Sequence, residues 1–145
     1  MTRKLFLLTV ILFLLISLIT LPVFSGCKAT TLTSEEVGSA EIKPISPEEV
    51  YEIIQNKEDY FIVDVRTPEE YEGGHIEGVL LLPVQELEGR LDELSKDENI
   101  IVYCRSGSRS RAAAEMLVNN GFTRVYDMGG ISSWIDRGYP VTLEK

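Results

Sequence analysis

Short apolar segments that alternate with helix-like segments are the feature that most constrains the fold of this 145-residue chain. Four strands are predicted, at Phe61–Val65, Val79–Leu82, Ile100–Tyr103 and Arg124–Tyr126. Strands that are apolar along their whole length are typical of a parallel sheet that helices cover on both faces. We therefore expect an α/β domain with a central parallel sheet and helices on both faces.

Helix signals lie between these strands and complete the alternation. Ser46, Pro47 and Glu49 form the pattern of a capping box with proline in the first turn, so a helix is expected to begin there. Gly121 is expected to end the fourth helix. Five helices are predicted. The first begins at Ser46 and the second at Thr67, and the other three span Glu86–Leu94, Arg109–Asn119 and Ile131–Arg137.

The chain begins with a short basic stretch, followed by the uncharged apolar run Leu5–Phe24. The run lacks an amphipathic period, so it predicts an export signal or a membrane anchor and not a core helix. Its end, Phe24-Ser25-Gly26-Cys27, resembles that of a bacterial lipoprotein signal, where cleavage before the cysteine frees it to carry lipid. We expect a lipid on Cys27, with an uncleaved transmembrane anchor as the alternative. Either outcome places the remainder outside the cytoplasmic membrane, on the periplasmic or cell-surface side.

Three regions are therefore expected: a signal peptide or membrane anchor at 1–26, a flexible tether at 27–41 and a folded domain at 42–145. The tether is rich in Thr, Ser, Glu and Ala and offers little to bury. The net charge is −9, and loss of residues 1–26, which carry the two positive charges of Arg3 and Lys4, would make it −11. So acidic a body argues against binding to nucleic acid or to anionic lipid surfaces.

Cys104 is the strongest candidate for chemistry. A lipid on Cys27 would leave it as a free thiol in an oxidising setting. It follows a buried strand, and Gly107 and a helix start come soon after it, so backbone N–H groups and the helix N-terminus are expected to favour a thiolate. A drop in pKa of about two units would convert a thiol that is about 3% ionised at pH 7 into one that is mostly thiolate. The alternative is a small buried hydrophobic side chain.

The arginines near Cys104 stand against the acidic charge of the whole chain. Arg105 and Arg109 are expected to bind an anionic co-substrate beside the sulfur, because a guanidinium fork suits oxyanions. Arg111 lies deeper in the helix and is expected to face solvent. The serines of this segment either donate to the same anion or are ordinary polar residues of a helix start. These serines are Ser106, Ser108 and Ser110.

Several segments, in this order along the chain, resemble the rhodanese-like domain of sulfurtransferases in its single-domain form. The resemblance covers nearly all of residues 42–141, and the ordered set is specific although each piece alone is weak. The segments are Asp64-Val65-Arg66, Pro68–Tyr71, Gly74–Ile76, Tyr103–Arg109 and Gly129–Ile131, with Trp134 and Gly138 after them.

This resemblance implies an active-site loop and a sulfurtransferase reaction. Cys104 would take a sulfane sulfur from a small anionic donor such as thiosulfate, hold it as a persulfide and pass it to cyanide or a thiol. Arg105 and Arg109 would help to bind the donor, and the loop amides, those of Ser106, Gly107 and Ser108 among them, would stabilise the persulfide. Asp64 and Arg66 are expected to support neighbouring loops.

No cofactor is implied beyond the covalent persulfide. No metal is expected, because one histidine and one free thiol cannot build an ordinary zinc site. That histidine, His75, is expected to be structural.

Two other functions remain open at the level of sequence. The domain is alternatively a tethered persulfide carrier or interaction module that works with a protein partner and lacks efficient turnover. A cysteine-dependent phosphatase is the second alternative, but those enzymes use a Cys-x5-Arg loop, whereas here Ser110 is the sixth residue after Cys104 and the arginine is the fifth. Tyr103 also replaces the histidine that often precedes the phosphatase cysteine.

Overall fold

The computed structural model describes residues 41–143, which form a five-stranded parallel sheet with helices on both faces. The strand order is β1-β5-β4-β2-β3, so β4 lies at the centre. The strands are β1 (Lys43–Pro44), β2 (Phe61–Asp64), β3 (Leu80–Leu81), β4 (Ile100–Cys104) and β5 (Val125–Gly130). The helices of this region are α1 (Pro47–Asn56), α2 (Pro68–Glu72), a 3-10 helix (Leu87–Glu93), α3 (Ser108–Asn119) and α4 (Ile131–Asp136).

The predicted signal or anchor at 1–26, Cys27 and all but the last residue of the predicted tether lie outside the described residues. Within residues 41–143, no helix combines the length and the apolar character needed to cross a bilayer.

Each face of the sheet carries its own hydrophobic cluster, which confirms the expected arrangement. Successive side chains of β4 point to opposite faces. Val102 and Cys104 therefore join the cluster that also contains Leu117 of α3, whereas Tyr103 joins the cluster that contains Val50 of α1 and Trp134 of α4. The sheet is buried on both sides, as its continuous apolar strands predict.

Helices α1 and α2 both begin with a capping box. The sequence predicts this box for α1. Ser46 and Glu49 cap α1 reciprocally, and Thr67 and Glu70 do the same for α2. In each box the glutamate accepts a hydrogen bond from the backbone N–H of the cap residue, which holds its carboxylate close to the helix start. In α2 this places Glu70 at the carboxyl edge of the sheet, after β2.

The predicted boundaries around the central strands need correction. Cys104 is the last residue of β4 and not the residue after the strand, and α3 begins at Ser108, one residue earlier than predicted. The predicted strand Arg124–Tyr126 is instead Val125–Gly130, because its glycines disfavour a strand locally while pairing with β4 holds them in the ladder. A register shift between Val102 and Tyr103 accompanies this pairing.

Three further elements differ from the prediction. The segment Glu86–Leu94 forms a kinked 3-10 helix, with non-helical dihedral angles at Arg90, because Gly89 weakens a regular α-helix there. Strand β3 has only two residues, within the predicted Val79–Leu82. Strand β1 was not predicted, since two residues that include a proline carry no strand pattern, and it forms by pairing with β5.

Candidate active site

The Cys104 thiol lies at the carboxyl edge of the sheet, at the start of α3. The N–H of Gly107 donates a hydrogen bond to Cys104 Sγ over 3.1 Å. Gly107 has φ of +107°, and this left-handed conformation turns the loop back towards the sulfur. Burial alone would raise the pKa of the Cys104 thiol, but the backbone N–H groups of Ser110, Gly107 and Ser106 and the Ser110 hydroxyl outweigh it, and the pKa lies below its ordinary value. The loop therefore stabilises a thiolate with neutral donors.

Ser110 and Gly130 contact the loop and fix its position. The buried Ser110 hydroxyl donates to the carbonyl oxygen of Gly107 over 2.9 Å and lies 3.3 Å from that of Gly129. Gly130 pairs with Cys104 across the sheet, and a Cβ added to Gly130 would come within 2.9 Å of Arg105 O and of Ser106 Cα. The loop can therefore rest on the end of β5 only where that strand has no side chain.

Arg109 is held in an ion pair that the sequence did not reveal. Its Nη1 and Nη2 donate to Glu70 Oε2 and Oε1 over 2.6 and 2.9 Å, in the two-pronged geometry of a guanidinium and a carboxylate. The hydrogen bonds from Arg109 are the largest cause that lowers the pKa of Glu70, which is about 2. Arg105 is exposed, and the structure gives its side chain no ion pair within residues 41–143.

Asp64 and Arg66 form a buried ion pair at the end of β2. Arg66 Nη2 lies 2.6 Å from Asp64 Oδ2, and its Nε donates to the same carboxylate. The remaining donors of the guanidinium reach the carbonyl oxygens of Glu70 and Gly74 over 3.0 and 2.8 Å. This pair therefore ties β2 to the middle of α2 and to the segment that follows the helix, and its polar atoms are satisfied within the protein.

Tyr103 and His75 fill the space next to this pair. Burial raises the pKa of the Tyr103 hydroxyl, as does the neighbouring Asp64 carboxylate, and its oxygen accepts a hydrogen bond from the N–H of Ile76 over 3.4 Å. The buried His75 ring stacks on Tyr71 with 3.6 Å between ring centroids, and its Nδ1 lies 3.0 Å from the carbonyl oxygen of Tyr71. These contacts place His75 in the packing around α2.

A cavity of about 250 Å³ opens beside the loop. It is lined by charged side chains together with an apolar wall from α4; the lining residues are Arg66, Glu70, Arg105, Ile131, Ser132 and Ile135. A larger cavity, of about 450 Å³, lies at the amino ends of β2 and β3 and includes no residue of the loop. Ligands of parallel α/β sheets bind beyond the carboxyl ends of the strands, so the smaller cavity is the candidate substrate site.

The structure brings most of the sequence-predicted site residues to one edge of the sheet. Cys104, Arg105 and Arg109 are there, and Asp64 and Arg66 lie at the end of the adjacent strand. The hydroxyls of Ser106 and Ser108 are on exposed residues, whereas Ser110 is buried in the first turn of α3. Cys27 lies outside the described residues. Within residues 41–143, no cluster of three or more His, Cys, Asp or Glu side chains could hold a metal ion.

Two residues of the site escaped the sequence analysis. Glu70 was recognisable as the last residue of a capping box, but nothing local indicates that Arg109, 39 positions away, meets it. Gly130 belongs to the Gly129–Ile131 segment of the family resemblance, and its steric role depends on the approach of the Cys104 loop, which follows another strand.

Comparisons with known proteins identify the family to which this chain is similar. The family model described as "Rhodanese-like domain" matches residues 46–137. A protein of Allochromatium vinosum named "Sulfurtransferase" is 37% identical over 105 residues, which cover 72% of this chain and 98% of that protein. A Coxiella burnetii protein named "Thiosulfate sulfurtransferase GlpE" is 37% identical over 93 residues, which cover 63% of this chain and 86% of that protein.

A solved structure resembles the described domain as well. The crystal structure of a rhodanese-related protein from Thermoplasma volcanium superposes with a TM-score of 0.64 and is 39% identical in sequence. The match covers 70% of this chain and 99% of that protein chain.

Proposed function

Because this chain belongs to the rhodanese-like family, we propose that it is a sulfurtransferase which moves a sulfane sulfur through a persulfide on Cys104. The single observation that carries the proposal is the thiol at the end of β4, whose sulfur accepts a hydrogen bond from the Gly107 N–H and whose pKa is lowered by the loop. A thiolate at neutral pH is the nucleophile that sulfur transfer requires.

The first half-reaction loads the sulfur. The Cys104 thiolate attacks the outer sulfur of a donor such as thiosulfate, a new S–S bond forms, and the donor's S–S bond breaks with its electron pair leaving on sulfite. The terminal sulfur of the resulting persulfide carries the negative charge. Backbone N–H groups of the loop, which lower the pKa of the thiol, are also suited to stabilise this anion.

The second half-reaction transfers the sulfur to a thiophilic acceptor. Cyanide or a thiolate attacks the outer sulfur of the persulfide and leaves with it as thiocyanate or as a new persulfide. The S–S bond to Cys104 breaks, and its electron pair restores the thiolate. Charge and sulfur balance in both steps without a metal or an organic cofactor, and the covalent intermediate divides the transfer into two displacements.

The phosphatase alternative is less well supported by the same geometry. The arginine that would wrap a phosphate is the fifth residue after Cys104, and both of its terminal nitrogens bond to Glu70. These bonds occupy the arginine that a phosphatase would use to wrap the phosphate.

The experiment that tests the proposal is intact-mass measurement of the reduced, purified full chain after incubation with thiosulfate. A gain of about one sulfur atom, roughly 32 Da, that is lost on addition of cyanide or a thiol is expected for a persulfide. The Cys104→Ser variant should show no gain. Sulfur loading that persists in this variant would overturn the mechanism.

The carrier alternative makes a different prediction in the same experiment. A dedicated carrier loads one sulfur on Cys104 and releases it only to a protein partner, so the mass gain would persist when cyanide is added and almost no thiocyanate would form. An efficient sulfurtransferase continues with small donors and acceptors.

We further propose that the domain is exported and anchored to a membrane through lipid on Cys27, on the periplasmic or cell-surface side. The support is the apolar run and the Phe24-Ser25-Gly26-Cys27 sequence at its end. Replacement of Cys27 with Ala should abolish incorporation of labelled fatty acid. If that variant keeps the fatty acid, Cys27 is not the attachment site, and if both forms are unlabelled yet membrane-bound, the run is an uncleaved anchor.

A further inference from the structure

Three guanidinium groups surround the Cys104 loop, and they differ in whether a carboxylate compensates their charge. Arg66 is paired with buried Asp64, and Arg109 is paired with Glu70. The structure gives the exposed side chain of Arg105 no carboxylate partner in the part of the chain that it describes. Arg105 is therefore the arginine whose charge remains available to a ligand.

The Glu70 carboxylate engages Arg109 fully. Both carboxylate oxygens accept hydrogen bonds from the terminal nitrogens of Arg109, and Glu70 Oε2 also accepts one from the Thr67 N–H over 3.2 Å. With a pKa of about 2, Glu70 is ionised at every pH at which the domain is expected to work. An anion that approaches Arg109 therefore meets a neutral pair and a guanidinium with its terminal nitrogens already bonded.

The cavity beside the loop shows the same distribution of charge. Arg105 and Glu70 both line it, Arg66 lines it with its charge already compensated, and Arg109 is not among the described lining residues. Ile131 and the half-exposed Ile135 supply an apolar wall. A donor in this cavity meets one uncompensated cation and one carboxylate that belongs to an ion pair.

We propose that Arg105 is the arginine that binds the anionic sulfur donor, and that Glu70 is a specificity-determining residue which withdraws Arg109 from the donor and limits the negative charge that the site accepts. This inference rests on the proposed sulfurtransferase function. It replaces the expectation from sequence that Arg105 and Arg109 share the donor.

The experiment uses two donors that differ by one charge, thiosulfate with two negative charges and methanethiosulfonate with one. Each delivers its outer sulfur to Cys104, and the leaving groups are sulfite and methanesulfinate. The measured quantity is the second-order rate constant for loading of Cys104 in the full chain, followed by intact mass. The ratio of the two rate constants cancels changes in the thiolate fraction, because both donors use the same thiolate.

The Glu70→Gln variant keeps a side chain that can cap α2 but frees the charge of Arg109. Its loading rate should rise about fivefold with thiosulfate and about twofold with methanethiosulfonate, since the interaction scales with the charge of the donor. Arg105→Gln should lower the rate about tenfold with thiosulfate and about threefold with methanethiosulfonate. A purely structural role for Glu70 would change both rates by the same factor.

The double variant Glu70→Gln with Arg109→Gln is the decisive one. It replaces the ion pair with two amides of similar shape, so the ratio of the two rate constants should remain within about twofold of the wild-type ratio. Arg111→Gln is the matched control, because Arg111 lies in the same helix and pairs with exposed Glu115. If Arg109 binds the donor directly, the double variant will lose thiosulfate loading as strongly as Arg105→Gln does, and the proposal is wrong.

A second readout does not depend on sulfur transfer. The rates at which iodoacetate and iodoacetamide alkylate Cys104 differ by the charge of the reagent, so their ratio reports the local potential at the sulfur. Glu70→Gln should raise this ratio, Arg105→Gln should lower it, and the double variant should restore it. If thiosulfate loads neither the wild type nor any variant while the alkylation ratios change as expected, the proposed function is wrong and the assignment of charge stands. If sulfur loading proceeds while the alkylation ratio is the same in every variant, only the assignment of charge is wrong.

Discussion

The ends of β2 and β4 lie side by side on the same edge of the sheet, yet each surrounds its buried acidic group in a different way. Asp64 ends β2 and pairs in register with Tyr103 of β4. Its carboxylate is fully buried and meets the guanidinium of Arg66. Cys104 ends β4, and its sulfur receives backbone N–H groups instead. The ion pair with Arg66 gives the Asp64 carboxylate a structural role. Neutral backbone amides favour the thiolate form of Cys104 and leave its sulfur able to react.

Glu70 connects these two regions. Its backbone carbonyl accepts a hydrogen bond from Arg66, and its carboxylate accepts two from Arg109. The short helix α2 thus carries contacts from the end of β2 to the first turn of α3. Three substitutions test this difference: one removes the charge of Arg66 after β2, one adds a side chain at Gly130 next to the end of β4, and one removes the charge of Glu70 between them.

The largest effect on stability is expected at the end of β2. Arg66→Ala would leave the buried Asp64 carboxylate without its charged partner, which should lower the free energy of unfolding by about 3–5 kcal/mol. Urea denaturation at pH 7 measures it. Arg111→Ala removes an arginine from the exposed pair with Glu115 and should cost less than about 1 kcal/mol. Equal losses in the two variants would mean that burial does not distinguish these pairs.

A smaller loss of stability, with a large loss of activity, is expected behind the end of β4. Gly130→Ala places a Cβ within 2.9 Å of Arg105 O and Ser106 Cα, so the loop must move. Stability should fall by about 1–3 kcal/mol, and persulfide formation should slow on the order of a hundredfold, because the N–H groups leave the sulfur. Gly89→Ala is the control, since its Cβ would meet nothing within 4 Å. Unchanged loading in Gly130→Ala would show that the loop does not need this close approach.

The smallest effect is expected at Glu70, and it depends on pH. The pKa of Glu70 is lowered from 4.5 to about 2 in the folded protein, chiefly by its hydrogen bonds with Arg109. The ion pair should therefore contribute its full stability above pH 4.5 and lose it as the pH falls towards 2. Because the pair is partly exposed, the difference in unfolding free energy between wild type and Glu70→Gln should be about 1 kcal/mol at pH 7 and should shrink by pH 3. A difference that is constant with pH would contradict this role.

Much of this arrangement could be predicted because the information is local. The apolar runs of β2 and β4 indicate strands buried on both faces, and the capping box at Ser46 is written in four residues. The position of Cys104 between a strand and a helix similarly predicts a thiol near backbone donors, although the strand ends one residue later than predicted.

Other features escaped prediction because they join distant parts of the chain. Strand β1 exists only through its pairing with β5, and Gly130 is required only because the Cys104 loop rests on it. The ion pair between Arg109 and Glu70 likewise joins residues 39 positions apart and has no local signal in the sequence.

The sequence by itself therefore determined the alternation of strands and helices from α1 onward, the parallel sheet and the position of the thiol at a strand end, since periodicity and capping act over a few residues. Only the tertiary structure decided which charges remain free around that thiol. Three arginines of the same chemical type lie near one edge of the sheet, and the chain path places a carboxylate against two of them. Charge compensation depends on distances of a few ångströms between residues that are far apart in sequence, and these residues come close together only when the strands have assembled into the sheet.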